Sequence, residues 1–195
     1  MGTSSMTYVI VDGSSFISSL SSMDGYPSGE GKRILAFLSN RKNVDRLRRS
    51  LDRCEPLTDE FVQRMRQTYG GGWEEAYIES HPQHIYFGGA RMLESLVSSR
   101  GAVTVRNWPG DRRFDDWAYV VDLDAERFEV YKGMNRVPVP EGQRFYDSGG
   151  MDEHGYFPFR MVASYDLGDL PSYAEFIEAC ETQRGRRPSS AMPTD

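Results

Sequence analysis

Cysteine and histidine are scarce in this chain, and no long apolar run interrupts it. Cys54 and Cys180 are the only cysteines in 195 residues, far apart and without CxxC spacing. That pattern argues against a disulfide framework and predicts two buried thiols in a reducing compartment. No apolar stretch approaches the ~20 residues that a membrane-spanning helix needs. No basic segment followed by an apolar run stands at the start, so no secretory signal is expected and the cytoplasm is the expected location. An excess of basic charge is missing too: the net charge is -6. Arg41, Lys42, Arg46, Arg48, Arg49 and Arg53 cluster locally, but their spacing scatters them around a helix. Neither nucleic acid nor a membrane is therefore expected as a partner.

Hydrophobic residues make up 38% and charged residues 27%, enough apolar surface for one folded domain. Its expected extent is residues 1–182, with 183–195 a polar, Pro-containing tail expected to be disordered. Residues 7–11 are β-branched and aromatic, and they end at Asp12-Gly13, which suits a type I′ turn into a second strand over 14–20. A second hairpin is predicted where Trp117, Tyr119, Val121 and Leu123 alternate, with Phe128 and Val130 doing the same beyond Asp124-Ala125-Glu126.

Between the hairpins, helical periodicity predicts helices over 29–39, from Asn43 as cap to Cys54, from Thr58 to Tyr69, and around Ala90 to Val97. Short strands over 102–106 and 157–165 and a helix from Pro171 to about Glu181 complete the reading. Residues 133–155, rich in Gly, Pro and polar groups, read as a long loop. The expected fold is α+β, a largely antiparallel sheet built from N- and C-terminal hairpins with a helical block between them. A parallel nucleotide-binding sheet would need regular strand–helix alternation, and the pattern has none.

The centre of this reading is Asp24-Gly25-Tyr26-Pro27-Ser28-Gly29-Glu30-Gly31-Lys32, where the chain passes from strand to helix. Pro27 fixes its own φ and keeps Tyr26 extended, while the glycines permit a tight path. With Met1-Gly2-Thr3 and the later Trp117-Ala118-Tyr119-Val120-Val121-Asp122, this run resembles a family of hypothetical proteins from fungal, bacterial and phage genomes. Those proteins open with Met-Gly-Thr-Arg and carry Asp-Gly-Tyr-Pro-x-Gly-x-Gly and a later Trp-Ala-Tyr-Val-Val-Asp strand. The resemblance covers most of residues 1–180 and departs at Ser4, where the family has arginine. It implies the extent of the domain and no chemistry.

Two functional readings follow. In the first, the domain is a non-catalytic small-molecule or protein-binding module. Free N–H groups at the helix entry and Lys32 would suit a small anionic ligand, with Asp24, Tyr26, Ser28, Gly29 and Gly31 lining the turn. Asp122 would join them if its strand turned it toward Asp24. The competing account of the same turn is structural, with Tyr26 packed into the core. The second reading is an N-terminal-nucleophile-type hydrolase, with Thr3 as nucleophile after loss of Met1-Gly2 and Lys32 tuning its amine.

Other groups point to less. Asp115, Asp116, Asp122 and Asp124 more readily cap a hairpin than hold a metal. His81 and His84 lack a cysteine or HExxH frame, and His154 stands alone in a loop, so neither a metal nor a cofactor is expected. The aromatics Tyr69, Trp73, Tyr77, Tyr86 and Phe87 crowd residues 69–88, as packing or as a partner surface. Oligomeric state is not encoded in any of these features.

Overall fold

Asp12 and Gly13 take φ angles of 52° and 69°, the two positive values that a type I′ hairpin turn requires. They join β1 (Ser5–Val11) to β2 (Ser14–Ser21), which pair antiparallel with a bulge beside Val9 and Ile10. The computed structural model describes residues 2–56, 59–72, 88–100, 103–105 and 112–182.

The second hairpin is also present, as β5 (Trp117–Asp122) and β6 (Arg127–Lys132). A last strand, β7 (Arg160–Asp166), adds antiparallel to β6. The two hairpins join differently from the expectation, because β1 and β5 run parallel, Ser5 opposite Trp117 and Ile10 opposite Asp122. The result is one mixed sheet of order β2-β1-β5-β6-β7 in an α+β fold. A parallel pair needs a long crossover, and the helical block between the hairpins supplies it.

That block contains α1 (Lys32–Leu38), α2 (Arg41–Leu51), α3 (Asp59–Tyr69) and α4 (Arg91–Ser98), and α5 (Tyr173–Thr182) follows β7. Ile34, Leu38, Leu47, Leu93 and Leu96 bring the apolar faces of α1, α2 and α4 onto Val9, Ile17, Tyr119, Val121 and Phe128 of the sheet. Phe176 of α5 stacks on Phe128, ring centroids 5.9 Å apart. Each such side chain taken fully out of water stabilises the fold by about 1.5–3 kcal/mol.

The other face of the sheet is covered by the long loop of residues 133–159 rather than by helices. Met6, Ile10, Ala118, Val120, Tyr131 and Phe159 form a second core there. Phe145 reaches in from the loop, edge-on to Tyr131 at 4.8 Å and 5.4 Å from Phe159. Every residue of β5 is consequently buried, which is why Trp-Ala-Tyr-Val-Val lacks polar positions on either face. Arg113, 7% exposed, holds the loop by donating to the carbonyls of Gly150 at 2.6 Å and Tyr156 at 2.9 Å.

Three local expectations are corrected. The cap of α2 is Asn40, whose side chain accepts from Lys42 N–H at 3.2 Å, while Asn43 lies inside the helix and donates to the Phe37 carbonyl at 3.0 Å. Cys54 is not helical; β3 (Cys54–Pro56) pairs parallel with β4 (Val103–Val105) in a separate two-stranded sheet. The entry to α1 begins as a π-helical turn, Pro27–Gly31, because Pro27 and two glycines do not favour regular α-helix. His81, His84, Trp73, Tyr77, Tyr86, Phe87 and the 183–195 tail lie outside the described residues. Among the described residues, no helix is long and apolar enough to cross a membrane, and Cys54 and Cys180 are free thiols.

Candidate functional site: the cleft beside residues 24–32

The glycine-rich turn consumes its own donors. Gly29 N–H donates to the Tyr26 carbonyl at 2.9 Å, Gly31 N–H to the same oxygen at 3.2 Å, and Glu30 N–H to Asp24 at 2.9 Å. Gly25 N–H donates to Thr3 at 2.9 Å, and Lys32 N–H turns back to the carbonyls of Gly29 and Pro27. The amides of Gly29, Glu30, Gly31 and Lys32, at the helix entry where an anion was expected, are therefore bonded within the turn itself.

The glycines answer to crowding. A Cβ on Gly31 would come within 2.9 Å of the Tyr119 ring and 3.0 Å of Phe176, so the turn presses directly on the core. Tyr119, fully buried, donates its hydroxyl to the Gly25 carbonyl at 2.9 Å, and burial pushes its pKa well above the ordinary tyrosine value. Tyr26 itself is 38% exposed, so the core tyrosine of this turn is Tyr119 and the packed-Tyr26 account is corrected.

The named residues separate into three places. Thr3 is buried, with its carbonyl engaged by Gly25. Lys32 and Ser28 are exposed, and Lys32 Nζ stands 4.9 Å over the ring of Tyr173. Asp122 does not meet Asp24. It pairs across from Ile10, whereas the turn is bonded to Thr3, before the start of β1. Five strand positions separate the two ends, about 17 Å.

Asp122 belongs instead to a network on the loop-covered face. Arg144 donates to Asp122 Oδ2 and, at 2.8 Å, to Glu129 Oε2, which also accepts from the Tyr131 hydroxyl at 2.8 Å. Asp122 Oδ1 accepts from the N–H groups of Asp124 and Ala125 and so closes the β5–β6 turn. Burial raises its pKa, but the Ala125 N–H, the Arg144 guanidinium and the Asp124 N–H outweigh that and hold the carboxyl below its ordinary value. Asp116 accepts from Ser4 N–H at 3.2 Å, Asp115 from Arg112 at 2.9 Å, and Asp124 from Gly13 N–H at 2.9 Å. Among the described residues, no group of three or more His, Cys, Asp or Glu side chains could hold a metal ion.

What the turn does bring together is charge. A cleft of about 440 Å³ opens between the end of β2, the turn, and the first residues of α1 and α4. Asp24, Glu30, Arg33 and Arg91 line it, with Ser21 and Ser22 beside them. Glu30 is 3% exposed; one carboxylate oxygen accepts from the N–H of Ala90, at the start of α4, and the other from Arg33 at 2.7 Å. Arg33 also contacts Asp24 at 3.4 Å. A carboxylate at a helix N-terminus is the arrangement expected of a bound anion, and here the chain supplies it from sixty residues upstream.

Arg91 is different: it is exposed on the cleft and has no ion-pair or hydrogen-bond partner among the described residues. Below the cleft the sheet is polar, with Ser5 opposite Ser21 and Thr7 opposite Ser19. Ser19 accepts from Gly89 N–H at 3.0 Å, and the buried hydroxyls of Ser5 and Thr7 have no partner among the described residues. The sequence points to the turn but not to Glu30, Arg33 or Arg91 as the charges around its cleft. Arg33 and Glu30 were readable as charges inside or beside the motif, whereas Arg91 reaches the site only through the packing of α4.

The fold and the cleft together define an α+β domain with a mixed sheet and a charged cleft at the entry to its first helix. No family model matches the chain, and no curated protein or solved structure matches it.

Proposed function

We propose that this chain is a non-catalytic binding domain that takes a small anionic ligand in the cleft beside residues 24–32. The observation that carries the reading is Arg91, a guanidinium with no ion-pair or hydrogen-bond partner among the described residues, on the wall of a cleft of ligand size. Arg33 is already divided between Glu30 and Asp24, so among the described residues that line the cleft Arg91 is the cation left for a ligand. Asp24, with its side chain 54% exposed, and the Ser21 and Ser22 hydroxyls favour a ligand that also carries hydrogen-bond donors, such as a hydroxylated carboxylate or phosphate. The two free thiols support a reducing, cytoplasmic setting. The hydrolase reading gains no support, because Thr3 is buried and Lys32 leans on Tyr173.

The test is titration of the full chain with a panel of small carboxylates and phosphates, with and without hydroxyl groups, followed by calorimetry. Binding by at least one hydroxylated member, weakened about tenfold or more by Arg91→Gln, is the expected result. Failure of the whole panel, or equal binding by a folded Arg91→Gln variant, overturns the reading.

A further inference from the structure

A second cleft, of about 420 Å³, lies at the opposite end of the sheet. It opens between the tip of the β1–β2 hairpin, Leu123 after β5, and the last turn of α2. Its floor is apolar: Leu51 and Leu123 are buried within it, and the ring of Phe16 is 36% exposed at its side.

The charged side chains around this floor are two carboxylates and one guanidinium. Asp12 and Asp52 both line the cleft, both are exposed, and neither has an ion-pair partner among the described residues. Arg48, the cation on the same wall, is already engaged by Glu126 at 3.1 Å. The α2 helix ends here, and its carbonyl ends add partial negative charge beside Arg48 and Arg49 of its last turn. Burial pushes the Cys54 thiol up to about 11, which leaves a neutral sulfur in the lining.

We propose that this second cleft binds a small amphiphilic amine, its apolar body against Phe16, Leu51 and Leu123 and its ammonium held by Asp12 and Asp52. An anion would meet two carboxylates that have no ion-pair partner among the described residues, and an arginine already engaged by Glu126. A neutral apolar molecule would use the floor but leave both carboxylates without a role. The amine satisfies both halves of the lining, and the ring of Phe16 offers its cation a further attraction.

The test compares three probes of similar shape, 2-phenylethylamine, 2-phenylethanol and 3-phenylpropanoate, by amide chemical shifts of the isotope-labelled full chain. The amine is expected to shift residues 11–16 and 48–54 saturably, with the alcohol at least about fivefold weaker and the acid silent. Asp12→Asn and Asp52→Asn, both at exposed positions, are each expected to weaken the amine about threefold or more. Equal affinity for amine and alcohol overturns the proposal, as does wild-type affinity in both folded variants. No saturation by about 10 mM amine overturns it as well. So does a response confined to residues 20–33 and 88–91, which would place the amine in the other cleft.

Discussion

Glu30 and Ala90 are joined by a single hydrogen bond, in which the buried carboxylate accepts from the backbone N–H at the start of α4. This contact ties the glycine-rich turn to a helix sixty residues away and gives that helix its negative N-terminal partner. Gly89, beside it, takes a φ of +63°, and a Cβ there would collide with the Glu30 carboxylate.

Glu30→Ala is expected to destabilise the fold by about 2–3 kcal/mol, since it strips a buried N–H of its charged acceptor. Urea denaturation measures the loss. Hydrogen exchange should show it concentrated at Ala90 and the first turn of α4. A uniform change in protection across the sheet would argue against this tie.

The glycines of the motif separate by what surrounds them. Gly31→Ala forces a methyl against Tyr119 and Phe176 and is expected to cost about 1–3 kcal/mol. Gly150, with open space around its Cβ position and no positive φ, is the control, and Gly150→Ala is expected to stay within about 0.5 kcal/mol of the wild type. Thermal and urea unfolding of the two variants check the contrast.

Asp122 predicts an acid dependence. Its carboxyl is held below the ordinary value, so its contribution to stability is present above the unfolded pKa of about 4 and is lost as pH falls through the lower, folded value. Wild-type stability should therefore drop on acidification below about pH 4, and Asp122→Asn should flatten part of that drop. Urea midpoints between about pH 2 and pH 7 measure it. An unchanged slope in the variant would remove Asp122 from the acid response.

Much of the fold was legible in local pattern. The Asp12-Gly13 turn, the alternation around Trp117–Asp122 and the periodicities of Ile34, Leu47 and Leu93 are short-range signals, and the elements they predict are present. The parallel pairing of β1 with β5 was not legible. No local signal records which edge of a hairpin a distant strand will choose, and here the crossover through the helices decides it. Asp122 shows the same limit at the level of a side chain. Its position in the alternation was readable, but its partner Arg144 comes from a loop with no period.

The sequence by itself determined an α+β chain, its two hairpins, and an unusual backbone at residues 24–32, because turn chemistry and apolar period act over a few residues. Only the three-dimensional structure decided that the amides of Gly29, Glu30, Gly31 and Lys32 are spent on carbonyls of their own turn, and that Glu30 rather than a ligand faces the start of α4. It also decided that Arg91 lies on the cleft with no ion-pair or hydrogen-bond partner among the described residues. The placing of Glu30 and of Arg91 depends on contacts between segments far apart in the chain, where packing of the whole sheet and its helices sets the distances.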